Sequence, residues 1–162
     1  MEKQQFRILI DAPREKVWDI LWSDQGYREW TSVFSEPLQL GTNEGSRAET
    51  DWKKGSKVLF LSGTGEGMVS RIEENIRNEF MSFKHLGTVK DGIENLEGKD
   101  VEKWAGALEN YTLRDVSGKT ELTVDMDVTD EYKDYFQNTW PKALEKVKVL
   151  AEKRKVASAG HA

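Results

Sequence analysis

The sequence predicts a single α+β domain in which a curved antiparallel sheet of about six to seven strands wraps around a long C-terminal helix. The first observation is that a strand over residues 122–128 runs directly into an amphipathic helix with an aromatic face. The second is a series of alternating segments between about residues 46 and 128, which offers that helix a concave partner. The third is a pair of short helical segments between the first strand and this series.

Length, charge and composition limit the classes of function. The chain has 162 residues, a formal net charge of −5 and no cysteine. A domain of this size buries about 70% of its unfolded surface, so one core is expected over residues 1–156, with a flexible tail over 157–162. The negative charge disfavours nucleic acid and anionic membranes as partners. No apolar run approaches the roughly 20 residues of a membrane span, and we expect a cytoplasmic protein.

The first strand and two short helices are predicted from the N-terminal residues. Phe6, Ile8 and Ile10 alternate with polar residues, which indicates a strand with one buried face. Pro13 suits the first turn of a helix because its missing amide hydrogen would have no partner there. A second short helix is expected to carry Tyr27, Trp30 and Phe34, before Pro37 ends it. Both helices therefore precede the remaining strands.

The middle of the chain predicts the rest of the sheet. Residues 48–61 form a first hairpin and residues 68–86 a second. The acidic segment 91–103 is expected to be an exposed loop, long enough to lie across the mouth of a cavity. The sheet resumes over 104–113 and ends with 122–128, where the alternation is clearest.

The last helix is expected to begin at Thr129 or Asp130 and to reach about Lys155. Its length of roughly 39 Å at 1.5 Å per residue would span the sheet. Pro141 lies inside it and removes one backbone hydrogen bond, so a bend or a short break is expected near Gln137.

Five short motifs carry a resemblance to a known family. They are Ala12-Pro13-Arg14-Glu15-Lys16-Val17-Trp18, Tyr27-Arg28-Glu29-Trp30-Thr31, Gly55-Ser56-Lys57-Val58, His85-Leu86-Gly87 and Trp140-Pro141-Lys142-Ala143-Leu144. With them the chain resembles the START-like proteins of the SRPBCC superfamily, and in particular the branch related to activators of the heat-shock-protein ATPase. The resemblance covers nearly the whole chain and implies the helix-grip fold. It implies no catalytic motif and no cofactor, because lipid carriers, hormone receptors, polyketide cyclases and co-chaperone domains share the scaffold.

Bulky side chains are the candidate ligand-binding residues. Any one of them is typical of a packed core, but together they are typical of a pocket for a small molecule, since Tyr and Trp bring polar tips to an apolar wall. The predicted lining consists of Trp30, Phe34, Trp52, Phe60, Met68, Phe83, His85, Trp104, Tyr111, Met126, Tyr135, Phe136 and Trp140.

His85 is a weak candidate for acid–base chemistry. It shares a strand face with Met81 and Phe83, but a catalytic imidazole normally needs an orienting carboxylate, which the sequence does not identify. A packed histidine is therefore favoured. One histidine cannot hold a metal ion, and no metal is expected. Asp125 and Asp127 share a strand face that is predicted to point to water.

Three functions remain open from the sequence. The leading hypothesis is non-enzymatic binding of a hydrophobic or aromatic small molecule, lipid-like or polyketide-like, in a cavity between sheet and helix. The second is a co-chaperone-like module that binds a protein partner through an outer surface. The third is an enzyme of cyclase or hydrolase type that uses His85. The absence of a catalytic motif favours the non-enzymatic hypotheses.

Overall fold

An antiparallel sheet of eight strands dominates the computed structural model, which describes residues 1–34, 47–62 and 65–160. The strands follow one another along the chain as β1 (Glu2–Ile10), β2 (Arg47–Glu49), β3 (Lys57–Leu61), β4 (Gly67–Ile76), β5 (Phe80–Lys90), β6 (Ile93–Asn95), β7 (Leu108–Val116) and β8 (Lys119–Val128). Their order across the sheet is β1-β8-β7-β5-β4-β3-β2, and β6 pairs with β5 off this path. The predicted antiparallel sheet is confirmed, with one short strand more than expected.

The helices also follow the prediction. The described helices are α1 (Arg14–Trp22), α2 (Asp24–Trp30), the short α3 (Lys99–Glu102) and the long α4 (Lys133–Gly160), which a 3₁₀ turn (Asp130–Tyr132) precedes. Residues 32–34 are helical too, whereas the predicted stop at Pro37 lies outside the described residues. Residues 157–160 of the predicted tail belong to α4, and the flexibility of 157–162 stays a prediction.

Pro141 does not interrupt α4. The helix is continuous from Lys133 to Gly160 with the proline inside it, so the predicted break near Gln137 does not occur. Proline has no amide hydrogen, which leaves the carbonyl of Gln137 without its usual helical donor. Packing of α4 on the sheet and on α1 and α2 compensates for this loss, because tertiary burial contributes more to a helix than a single backbone bond.

The acidic segment 91–103 contains secondary structure, whereas the sequence predicts a loop. It contains β6, whose Asn95 pairs with Thr88 of β5, and α3, whose Val101 is buried. Strand β7 begins at Leu108 rather than at Trp104, which lies in a turn. The backbone of residues 106–107 bonds to β5 before the β7 ladder starts, through Gly106 N to His85 O at 2.8 Å and His85 N to Ala107 O at 2.9 Å.

The first strand of the hairpin predicted over residues 48–61 is shorter than expected. This strand, β2, ends at Glu49 and does not reach Trp52. Trp52 has a φ of 64°, in the left-handed region that no strand residue adopts, so the chain turns there.

The core lies between one face of the sheet and the helices α1, α2 and α4; this face is called the inner face below. Leu122, Val124, Met126 and Val128 of β8 all pack into this core, as the alternation predicts. The largest fully buried side chains are Trp30, Tyr111 and Phe83. A second, smaller cluster of Leu61, Val69 and Val89 lies apart from this core.

Phe83→Ala is expected to lower the free energy of unfolding by about 3–5 kcal/mol. Phe83 is 0% exposed, and its ring lies 5.0 Å from that of Phe60 and 5.3 Å from that of Trp22, so its removal leaves a cavity among rigid rings. Ile93→Ala is the control, since Ile93 is 73% exposed and should change stability by less than about 0.5 kcal/mol. Urea unfolding followed by tryptophan fluorescence measures both, and equal losses in the two variants would contradict the assignment of the core.

Candidate functional site

A chain of polar side chains crosses the inner face on three neighbouring strands. His85 of β5 contacts Ser70 of β4 through Nδ1, at 2.6 Å from Oγ, and Glu109 of β7 through Nε2, at 3.1 Å from Oε1. The other carboxylate oxygen of Glu109 accepts a hydrogen bond from the hydroxyl of Tyr111. We call these four residues the polar chain. An imidazole, a carboxylate and two hydroxyls thus lie together inside a largely apolar interior.

Strand alternation places the polar chain on the inner face. His85 lies two residues after the buried Phe83, and Glu109 lies two residues before the buried Tyr111, so each points to the same side as its apolar neighbour. Ser70 lies two residues before the buried Ile72 of β4, so the same alternation points it to the core, whereas its neighbour Val69 points to the smaller cluster. A register shift beside Ser70 leaves Leu86 of β5 without a partner in β4 and brings Ser70 opposite His85.

The hydrogen-bond directions follow from the charge of the groups. Burial, together with the Glu109 carboxylate, raises the pKa of Tyr111 well above its ordinary value. The phenol is therefore neutral and donates to Glu109. A carboxylate only accepts, so Nε2 of His85 carries a proton that it donates to Glu109. In the neutral imidazole, Nδ1 is then the acceptor for the hydroxyl of Ser70.

Aromatic rings surround the polar chain. Burial, and secondarily the charge of Glu109, raises the pKa of Tyr27 well above its ordinary value, so this phenol is also neutral. The Tyr27 ring stacks on Phe60 at 6.1 Å, and Phe60 lies 6.1 Å from the imidazole of His85. Trp140 of α4 lies 6.0 Å from Tyr111. The side chain of Glu109 remains 18% exposed and that of His85 10%, so solvent reaches this end of the interior.

Several polar atoms near these rings have no hydrogen-bond partner among the described residues. They are both side-chain polar atoms of Gln4 and the indole nitrogens of Trp22 and Trp140. By contrast, the indole of Trp30 donates to the carbonyl of Leu21 at 3.1 Å. Gln4 pairs with Met126, which pairs in turn with Glu109, so the amide lies two strands from the carboxylate. An unpaired buried polar group costs about 1–3 kcal/mol, which makes these atoms candidates for contacting a ligand.

The structure brings most of the predicted lining residues together. Ring contacts connect Trp30, Phe34, Trp52, Phe60, Phe83, His85, Tyr111, Tyr135, Phe136 and Trp140. Met126 is buried in the same core. Met68 is half-buried opposite Phe60 and does not belong to the described core cluster. Trp104 lies in the turn before β7, outside the ring contacts of the described residues, so a role for it as a lid stays a prediction.

Four residues near the site were not predicted from the sequence: Glu109, Ser70, Tyr27 and Gln4. A usable signal existed for Glu109, because it shares the alternation of Tyr111 and Leu113 on β7. Its proximity to His85 was not visible, since it depends on the pairing of β5 with β7. The same kind of signal existed for Ser70, which alternates with Ile72, and for Gln4, which alternates with Phe6. The sequence did not identify an orienting carboxylate for His85. In the structure this carboxylate is Glu109.

An open groove of about 560 Å³ lies on the outside of the helical layer, between α2 and α4. It is lined by Arg28, Glu29, Ser32, Glu145, Lys146, Val149 and Leu150. None of the predicted lining residues contributes to it. The groove is therefore separate from the polar chain on the inner face.

Other candidate features give no second site. Within the described residues, no three His, Asp or Glu side chains are grouped so that they could hold a metal ion. No helix in that part of the chain has the length and apolarity needed to cross a membrane. Asp125 and Asp127 lie on the outer face and accept hydrogen bonds from the side chain of Gln5 and the backbone amide of Leu108, respectively.

Comparison with known proteins identifies similar chains. The family model for activator of Hsp90 ATPase homolog 1-like proteins matches residues 11–152. A Mesorhizobium loti protein is 15% identical with a TM-score of 0.69, over 94% of this chain and 98% of that one. The Aha1 dimer of Colwellia psychrerythraea is 21% identical with a TM-score of 0.67, over 94% and 97%. DynU16, from the dynemicin biosynthetic locus, is 13% identical with a TM-score of 0.66, over 94% and 48%. No curated protein matches the chain.

The neutral imidazole of His85 is expected to be the Nε2-protonated tautomer, because Glu109 can only accept a hydrogen bond from it. Long-range ¹H–¹⁵N spectra distinguish the two tautomers of a neutral ring. Ser70→Ala is the control, since it removes the donor to Nδ1 and leaves the bond to Glu109 intact. A spectrum typical of the Nδ1-protonated ring would contradict the assignment.

Tyr135→Phe is expected to weaken the pH dependence of stability between pH 10 and pH 12. Burial raises the pKa of Tyr135 from 10.0 to about 12, and its hydroxyl donates to the carbonyl of Phe34 at 2.9 Å. The neutral phenol therefore stabilises the folded state below pH 10, and this contribution is lost as the pH rises through 12. Urea unfolding at several pH values compares the variant with the original chain. Identical slopes in this window would show that Tyr135 titrates alike in the folded and unfolded states.

Proposed function

The chain belongs to the family of activator of Hsp90 ATPase homolog 1-like proteins, and from that premise we propose that it binds a hydrophobic or aromatic small molecule without transforming it. The proposed site is the polar end of the interior, between the inner face of the sheet and the N-terminal half of α4. The polar chain and the rings of Tyr27, Phe60 and Trp140 are its walls. A ring compound with one or two polar groups matches this combination of surfaces.

One observation carries the proposal: a partly exposed carboxylate lies in an aromatic interior, and the rings of Trp22 and Trp140, whose indole nitrogens have no partner among the described residues, adjoin its neighbour Tyr111. A core built only for stability would replace such groups by apolar ones, because unpaired buried polar atoms lower stability. The indole nitrogens of Trp22 and Trp140 are donors, whereas Glu109 is an acceptor. A ligand that carries a carbonyl or ether oxygen and a donor group would satisfy both kinds of atom.

Binding is favoured over catalysis by the burial of Ser70. Ser70, His85 and Glu109 follow the order of a nucleophile, a base and an orienting carboxylate, which would require an accessible hydroxyl. The hydroxyl of Ser70 belongs to a residue that is fully buried, which argues against a role as nucleophile. In this proposal the imidazole holds the carboxylate of Glu109 in position.

The similar structures support the scaffold, not the ligand. DynU16 belongs to the dynemicin biosynthetic locus. The identity of 13% extends this similarity to the fold alone. The ligand class must therefore be tested on this protein directly.

The test uses 1-naphthalenemethanol, a neutral two-ring compound with one hydroxyl, and the indole ¹H–¹⁵N resonances of the protein. We expect saturable shifts of the Trp140 and Trp22 indole signals, because their N–H groups lack protein acceptors. The indole signal of Trp30, which donates to Leu21, should move least. Trp→Phe variants assign the signals.

Binding of the probe in the outer groove would give a different pattern of shifts. Shifts confined to the backbone amides of Val149, Leu150 and Lys146 would locate the probe in that groove and overturn the proposal. Absence of any saturable shift up to the solubility limit of the probe would also overturn it. Native mass spectrometry of the protein purified from its host identifies a retained ligand independently of the probe.

A further inference from the structure

We propose that the ligand carries a positively charged amine and that Glu109 binds this group. The inference rests on the proposed function, since it specifies the ligand class of the same site. It starts from the polar chain, in which a carboxylate has been placed inside an aromatic interior rather than at the surface. Three properties of Glu109 carry the argument: its lack of a lysine or arginine partner among the described residues, its free acceptor positions and the rings around it.

The first property is charge. The described ion pairs that involve Lys or Arg all use other carboxylates, such as those of Glu74, Glu94 and Glu121. Glu109 has the imidazole of His85 and a neutral phenol as its partners among the described residues. A carboxylate in a site of low dielectric gains from a full positive charge that reaches it, because the attraction is weakly screened there. No lysine or arginine of the described residues supplies that charge.

The second property is free acceptor capacity. An ionised carboxylate offers about four lone-pair positions on its two oxygens. Oε1 accepts from Nε2 of His85, and Oε2 accepts from the hydroxyl of Tyr111. Each oxygen thus keeps a position for a further donor. A protonated amine has up to three N–H donors and makes charge-assisted bonds, which are roughly twice as strong as neutral ones.

The third property is the ring environment. The phenols of Tyr27 and Tyr111 stay neutral, since burial and the Glu109 charge raise the pKa of each. Neutral rings keep the electron-rich faces that attract cations, with energies of about 0.5–2 kcal/mol for each well-placed ring. Phe60 adjoins both Tyr27 and His85 at centroid distances of 6.1 Å. A carboxylate among such rings is suited to an organic cation more than to an anion.

The experiment compares two probes that differ in one group. They are 1-naphthylmethylamine, which is a cation at neutral pH, and 1-naphthalenemethanol, which is neutral and of nearly the same size. Isothermal titration measures both on the original chain, on Glu109→Gln and on Glu121→Gln. Glu121 is the matched control because it lies on β8 and pairs with Arg114 at 3.6 Å, away from the inner face.

We expect the amine to bind about tenfold more tightly than the alcohol, which corresponds to about 1.4 kcal/mol. Glu109→Gln should abolish this preference, whereas Glu121→Gln should keep it. Equal affinities in the original chain would overturn the charge inference and leave the proposed binding function in place. Binding of neither probe would overturn both. A preference that survives in Glu109→Gln would overturn the assignment to this residue.

A second measurement serves if Glu109→Gln does not fold. The side-chain carboxyl ¹³C resonance of Glu109 can be followed in the original chain during both titrations. The amine should shift this resonance in a saturable way, and the alcohol should shift it less. An unchanged Glu109 resonance at saturation with the amine would overturn the proposal.

Discussion

The contact between α4 and the inner face of the sheet is the constraint on which the rest of the structure depends. Trp140 anchors it, stacking on Phe6 of β1 at 5.9 Å and lying 5.9 Å from Trp30 of α2. One side chain thus joins an edge strand, a short helix and the long helix. Because α1, α2 and α4 cover the inner face, its polar side chains need polar partners. The members of the polar chain supply them to one another, whereas Gln4 has none among the described residues.

Much of the fold could be predicted because it is encoded in local patterns. The alternation in β8 indicates its buried face, and Pro13 marks the start of α1 with no information from elsewhere in the chain. The prediction was wrong at two local turns. Asp91 and Gly92 form a two-residue turn that joins β5 to β6, so part of the segment predicted as a loop is a hairpin. The turn at Trp52 depends on a backbone conformation that its side chain does not indicate.

The candidate site was also predictable only in part. The aromatic lining could be predicted from composition and strand phase, as Tyr111 and Phe83 illustrate. The polar chain could not, since the contact of His85 with Glu109 joins residues 24 positions apart across a strand pair. The pairing of Ser70 with His85 depends on a register shift that leaves Leu86 of β5 without a partner in β4. Chemistry that depends on strand register and bulges stays hidden until the pairing is known.

The pairing of β1 with β8 affects how the chain folds during synthesis. Glu2 lies opposite Val128, so β1 leaves the ribosome long before β8, its ladder partner among the described strands. At about 5–20 residues per second, β1 waits several seconds or more for this partner. Such long-range closure slows folding and exposes a strand edge to other nascent chains. The speed of translation from β1 to β8 thus sets how long this edge stays unpaired.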